Sequence, residues 1–131
     1  MSEIEEWIQE AASNLDRIFP RCSPEISAAV VRKAREAFVN DNPRVWWLDL
    51  KRPFKSYSSE NRRLVDVLPS PADRVWFIPE TDEEALPVYD LSPDDLDLIR
   101  NNCPLFEYYV VDKLFRWLII ENDHDEFLVC V

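Results

Sequence analysis

Glycine is absent from all 131 residues of this chain. At the usual frequency of ~7%, about nine would be present. Glycine is the residue that takes a positive φ without a steric cost. Without it, every left-handed cap or tight turn must be made by a residue with a side chain. Asparagine, the second choice at such caps, is expected to take over that work. The same absence removes several chemistries together. The phosphate-cradling Walker A loop, the GxGxxG dinucleotide fingerprint and the GxSxG nucleophile elbow all need glycine.

The length fits one domain, and 47% of the residues are apolar, including 5 Trp, 7 Phe and 4 Tyr. That is ample material for one core. No apolar run approaches the ~20 residues that span a bilayer, and Met-Ser-Glu-Ile-Glu-Glu is no secretory signal. Cys22, Cys103 and Cys130 are odd in number and lack CxxC spacing. They read as small buried hydrophobes of a protein in a reducing cytoplasm, with no disulfide framework and no metal. Net charge is −11, unevenly spread. Residues 32–74 carry 10 basic and 6 acidic residues, whereas residues 75–131 carry 14 acidic and 3 basic. A balance of this sign disfavours nucleic acid as a partner. It fits either a solvated acidic surface or a face that steers a cationic protein.

Apolar residues recur at helical spacing from Ile4 to Phe19, with Ser2 and Glu5 as a capping box and Pro20 as the stop. Ser23-Pro24 starts a second helix, which ends at Asn40-Asp41-Asn42-Pro43. Val45 to Leu48 then reads as a short aromatic strand, Lys51 to Ser59 as a loop and Glu60 to Val67 as a short helix. Arg74 to Ile78 and Val88 to Leu91 are strands, separated by the acidic turn Thr81 to Glu84. Ser92-Pro93 repeats the helix start, and that helix runs to about Asn101. Leu105 to Val111, Leu114 to Glu121 and Phe127 to Val131 read as a C-terminal meander with turns at residues 112–113 and 122–125. The middle run is nearly continuous and apolar, as in a strand buried on both faces. The predicted fold class is α+β in one domain, residues 1–131. Two N-terminal helices pack on one face of a mainly antiparallel sheet of about five to six strands, with one further helix between strands.

The order Val45-Trp46-Trp47, Val75-Trp76-Phe77-Ile78-Pro79-Glu80, Val88-Tyr89, Phe106-Glu107-Tyr108-Tyr109-Val110-Val111, Trp117-Leu118 and Glu121-Asn122-Asp123-His124-Asp125 carries a resemblance. Over roughly residues 44–131 the chain resembles an uncharacterised family of small bacterial proteins, a domain of unknown function. These are similar to proteins found beside polymorphic toxin systems, where small acidic proteins serve as immunity factors. The resemblance implies fold and lineage. It carries no established activity, and Asp123 stands where the family has the first of two adjacent histidines.

His124 is the only histidine, set between Asp123 and Asp125. A flanking carboxylate can orient an imidazole as a base. A polar hairpin turn explains the same residues, because neighbours on a strand point to opposite faces. No enzyme is therefore expected, and no cofactor. Trp46 and Trp47, with one ring on each side of a strand, lie among Arg44, Lys51, Arg52, Lys55, Phe54 and Tyr57. Exposed tryptophan and arginine anchor interfaces. The alternative is a strand buried on both faces. Arg116, placed inside the long apolar strand, is expected to be buried and to pair with Glu107.

The expected function is a bacterial cytoplasmic protein-binding module, an immunity-type inhibitor that occludes a basic partner. Its contact residues are Trp46, Trp47, Arg52, Lys55, Asp82, Glu83, Glu84, Asp94, Asp95, Asp123, His124 and Asp125. The alternative is a small-ligand or regulatory module using residues 44–57. The expected partner is a protein, with no nucleic acid and no membrane, and the expected state is a monomer or weak homodimer.

Overall fold

The computed structural model describes residues 2–131. All three helices begin as their sequences dictate. Helix α1, Glu3–Asn14, is opened by a full capping box: the Ser2 hydroxyl accepts the Glu5 N–H at 3.3 Å, and the Glu5 carboxylate accepts the Ser2 N–H at 3.3 Å. Helix α2, Pro24–Phe38, and helix α3, Pro93–Asn102, each begin on a Ser-Pro pair. The serine hydroxyls accept the N–H of Ile26 and of Asp95 at 3.2 and 3.1 Å. Helix α1 ends earlier than its periodicity predicts, because Asp16 turns the chain at φ 52°. Ile18 is exposed as a result, while Phe19 enters the core from outside the helix.

The six strands are β1 (Phe54–Ser58), β2 (Val75–Pro79), β3 (Tyr89–Leu91), β4 (Tyr108–Val111), β5 (Leu118–Glu121) and β6 (Glu126–Cys130). They form one sheet in the order β1-β6-β5-β4-β2-β3, every pair antiparallel, and β4 to β6 make the meander. The α+β class stands. The two N-terminal helices do not share a face, however. Ile8 of α1 and Leu96 and Ile99 of α3 pack with Val75, Phe77, Val110, Ile119 and Phe127. Val30, Ala34 and Phe38 of α2 pack with Ile78, Tyr109, Val111, Leu118 and Ile120 on the opposite face. Apart from Glu121, the residues of β2, β4 and β5 are apolar or aromatic on both faces, so each face needs its own cover.

Three local expectations change. The region from Lys51 to Ser59 is not a loop: residues 54–58 form the edge strand β1, with all five residues exposed. An edge strand exposed on both faces has no hydrophobic alternation to show in its sequence. Glu60 to Val67 shrinks to a 3-10 turn, Leu64–Val67. The long apolar run does not begin a strand at Leu114. Residues 112–117 form a turn in which Phe115 takes φ 56° and Leu114 is 70% exposed, and β5 starts only at Leu118. Likewise β4 begins at Tyr108 rather than at the exposed Leu105. Among the described residues five hold a positive φ: Asp16, Asp41, Asn61, Phe115 and Asp125. Aspartate thus does most of what asparagine was expected to do, since either short side chain tolerates the left-handed region. No helix among the described residues is long and apolar enough to cross a membrane.

Candidate functional site

Strand register places one set of acids at a single end of the sheet. Pro79 pairs with Tyr108, Tyr108 with Glu121, Glu121 with Phe127, and Phe127 with Tyr57. Just beyond this row lie Glu80, Glu107 and the turn 122–125. They are tied together: the Glu80 N–H donates to the Glu107 carbonyl at 3.0 Å, and the Glu107 carboxylate accepts the Asp123 N–H at 3.2 Å. The loop that leaves β2 continues through Asp82, Glu83 and Glu84, with Asp82 and Glu84 exposed.

These carboxylates lack cations at ion-pair distance. Among the described residues, neither Glu80, Asp82, Glu83, Glu84, Glu107 nor Asp125 makes a salt bridge, and Asp123 meets only His124. Burial holds the Glu80 carboxyl above the usual glutamate range. The Tyr109 hydroxyl, which donates to it, pulls it back; the charge of Glu107 adds to the rise, and the more distant Arg35 and Arg44 oppose it. Glu107 is also raised, again first by burial; the Asp123 N–H opposes the rise and the Asp123 charge reinforces it. Both groups are therefore held in surroundings that favour an incoming positive charge.

Trp46 and Trp47 sit against this end, but not on a strand. Residues Trp46–Leu48 form a 3-10 turn, so the rings do not take opposite faces of a sheet. Trp46 is 1% exposed and stacks on Tyr109 at 4.1 Å with the rings parallel to within 2°. Its backbone N–H donates to the Tyr109 hydroxyl at 3.3 Å. Trp47 is half-buried; its indole N–H donates to Glu107 at 3.3 Å and its ring meets His124 edge-on at 6.1 Å. The tryptophan pair therefore supports the acidic end.

Behind Glu80 a cavity of about 350 Å³ opens between α2, residues 42–46 and the loop 80–86. It shares Val31, Arg35, Glu83, Glu84 and Leu86 with a groove of about 690 Å³ that follows α2 to Cys22. Burial raises the thiol pKa of Cys22, the only cysteine on this groove, so it stays protonated and unreactive at neutral pH.

The other expected contact residues lie elsewhere. Asp94 and Asp95 open α3, next to the β3 end where Leu91 pairs with Val75, the far end of β2 from Pro79. Asp95 is taken by Arg17 at 2.9 Å. Arg52 lies over the Phe38 ring at 4.6 Å and donates to the Arg116 carbonyl, which makes it a packing residue. Lys55 is exposed on β1. Arg116 is not buried and does not reach Glu107; the turn at 112–117 leaves it exposed and paired with Asp112 at 2.5 Å. Glu80, Tyr109 and Arg35 belong to the site and were not expected there. Their signal is slight: Glu80 and Glu107 are the first polar residues outside two apolar runs, which become neighbours only once β2 and β4 pair.

DUF6756, a family of unknown function, matches residues 2–131. The chain belongs to that family. The match covers the N-terminal helices as well as the region from residue 44 onward. No curated protein and no solved structure matches the chain. Within this family member, the acidic end of the sheet gathers carboxylates that no lysine or arginine among the described residues meets at ion-pair distance.

Proposed function

We propose that this DUF6756 protein is a bacterial binding module, an immunity-type inhibitor that occludes a toxin domain or enzyme with a basic surface. One observation carries the reading. Carboxylates at one end of the sheet stand together with no lysine or arginine at ion-pair distance, and two of them are held protonated more readily than ordinary glutamates. A basic partner supplies the missing charge, and steering by such a cluster speeds encounter more than it deepens affinity. The half-buried Trp47, fixed by Glu107, offers the aromatic anchor beside the cluster. His124 is an exposed contact residue in this reading, with the exposed Asp123 at 3.4 Å.

The test separates the two ends of the sheet. The tagged protein is recovered from host lysate at low and high salt, and captured proteins are identified by mass spectrometry. A stoichiometric basic partner should be retained at low salt. It should be lost from the variant Asp82→Lys/Glu84→Lys/Asp123→Lys and kept by the control Asp73→Lys/Asp94→Lys, whose exposed acids lie at the far end. Equal capture by both variants would reject the reading.

A further inference from the structure

The sheet has two edges, and the fold covers only one of them. Along β3 runs the segment that precedes α2: the Cys22 N–H donates to the Val88 carbonyl at 2.8 Å, and the Asp90 N–H donates to the Pro20 carbonyl at 3.2 Å. Along β1 runs no such segment. The Ser59 N–H donates to the Asp125 carbonyl at 2.9 Å, one step beyond the Ser58–Glu126 pair. Alternation along an antiparallel ladder then makes Tyr57 and Lys55 the residues that bond to β6, and turns the N–H and carbonyl groups of Phe54, Ser56 and Ser58 outward. Among the described residues no backbone group bonds to them there. All five residues of β1 are exposed, with no proline and no break in register. An open edge of this kind is a template for a further strand.

The charge around this edge is opposite to that of the whole chain. Residues 51–62 hold Lys51, Arg52, Lys55 and Arg62 but one acid, Glu60, in a chain of net charge −11. Among the described residues none of these four cations makes a salt bridge. Lys51 and Arg52 are engaged otherwise, on the Glu36 carbonyl and over the Phe38 ring. Lys55 and Arg62 are exposed on the α3 face, where Lys55 stands opposite Val129 and Arg62 lies over the Tyr57 ring at 5.6 Å. Two acids beside the strand are already occupied: Asp66 by Arg63 at 3.5 Å, and Glu126 by the Ser56 hydroxyl at 2.7 Å. Glu60 follows the strand, past the buried Ser59. Cations on an edge strand guard it against a second copy, because pairing β1 with itself sets like charges side by side. That guard is selective by sign. A strand that carries carboxylates turns Lys55 and Arg62 into charge-assisted contacts. At physiological salt the Debye length is ~8 Å, so these nearby cations outweigh the distant acids.

We propose that the β1 edge binds an extended acidic segment of a partner protein as a seventh strand. The segment's backbone bonds to Phe54, Ser56 and Ser58. Its carboxylates, at alternate positions, lie on the α3 face beside Lys55 and Arg62. A groove of about 730 Å³ between β1 and residues 66–69, walled by Tyr57, Leu68 and Pro69, gives those side chains room. The residues between them lie on the α2 face and are apolar, because Phe54 is 49% exposed there and Glu126 repels a further acid at Ser56. Backbone bonds supply affinity and the alternate side chains supply selectivity. The proposal does not rest on the basic partner, which meets the Glu80–Glu107 end with the opposite charge.

The test uses the intact protein and the peptide Glu-Val-Glu-Val-Glu, blocked at both ends and matched to the five residues of β1. Two further probes are its Lys-Val-Lys-Val-Lys counterpart and an acidic form N-methylated at alternate residues, which cannot complete a ladder. Binding is followed by amide NMR shifts and by the change in amide hydrogen exchange. The acidic peptide should shift the amides of Phe54, Ser56 and Ser58 and slow their exchange. The lysine and N-methylated probes should bind roughly tenfold or more weakly, as expected for the loss of charged or backbone hydrogen bonds. Lys55→Glu/Arg62→Glu should weaken the acidic peptide by a similar factor, whereas Lys33→Glu/Arg44→Glu, an equal charge change at exposed cations away from β1, should not. Thermal unfolding of both variants checks that the fold is kept. No binding at millimolar concentration, equal binding of either control probe, or shifts that bypass β1 would overturn the proposal. So would concentration-dependent protection of the same amides without peptide, which would make a second copy the occupant.

Discussion

The two ends of the sheet treat their acids in opposite ways. At the Val75 end, Asp90 meets Arg74 at 3.1 Å and Lys113 at 3.0 Å, and Asp112 meets Arg116 at 2.5 Å. Burial works against the Asp90 charge, but Lys113 and Arg74 outweigh it and hold the carboxyl below the usual aspartate range. Arg116 does the same for Asp112, against some burial. At the Pro79 end, Glu80 and Glu107 are held above their usual range, because burial and like charge prevail. The same end shows the contrast across the sheet's thickness. Glu121, on the α3 face, is buried but met by Arg100 at 2.9 Å and by the Tyr108 hydroxyl at 2.5 Å. Acids that stabilise the fold are neutralised within it. Acids left unneutralised are free to serve something outside it.

The largest effect should come from breaking a satisfied acid. Glu121→Ala leaves the Arg100 guanidinium buried with Asp97 alone, and removing one partner of such a pair costs about 3–5 kcal/mol. Chemical denaturation should show that loss, while Glu107→Gln should cost nothing at neutral pH. A large loss in Glu107→Gln would erase the distinction between the two acids.

The pH dependence sharpens the comparison with opposite signs. Asp90 and Asp112 have depressed folded-state pKa values. Their contribution is present above the unfolded-state pKa and lost as pH falls through the folded value. Glu80 and Glu107 have raised values, so the folded state binds more protons than the unfolded one, and stability declines as pH rises through their titration. Asp90→Asn/Asp112→Asn should therefore be less stable than wild type at neutral pH, with the gap closing towards pH ~3. Glu80→Gln/Glu107→Gln should match or exceed wild type at neutral pH, with that gain vanishing towards pH ~4. Equilibrium unfolding across that range checks both curves.

The smallest effects should lie in the two hairpin turns. Phe115 and Asp125 both hold φ 56°, a conformation that costs a bulky residue roughly 1–2 kcal/mol and aspartate less. Asp125→Gly should change stability by no more than about 0.5 kcal/mol. Phe115→Asn should regain part of the strain, offset by the ring's lost packing over the α2 face. Thermal unfolding of the two variants separates these turns.

The legible parts of this fold are those set by local chemistry. Ser2, Ser23 and Ser92 announce helix starts that the hydrogen bonds bear out. The meander was readable from apolar runs broken at residues 112–113 and 122–125. What failed depends on distant packing. β1 shows no period because both its faces are exposed, and Trp46-Trp47 looks like a strand because aromatic content does not distinguish a strand from a tight turn packed on Tyr109. The site was legible only in part. Glu83, Glu84, Asp123 and His124 were singled out by charge, yet so were Asp94 and Asp95, since composition does not say which end of a sheet an acid occupies. Glu80 and Glu107 become neighbours only through the pairing of β2 with β4.

The most direct measurement is a carbon-detected NMR titration of the side-chain carboxyls. Glu80 and Glu107 should titrate above the ordinary glutamate value of about 4.3, and Asp90 and Asp112 below the ordinary aspartate value of about 3.9. Ordinary or depressed values at Glu80 and Glu107 would mean that the fold already neutralises that end of the sheet, and would contradict its assignment as the binding face.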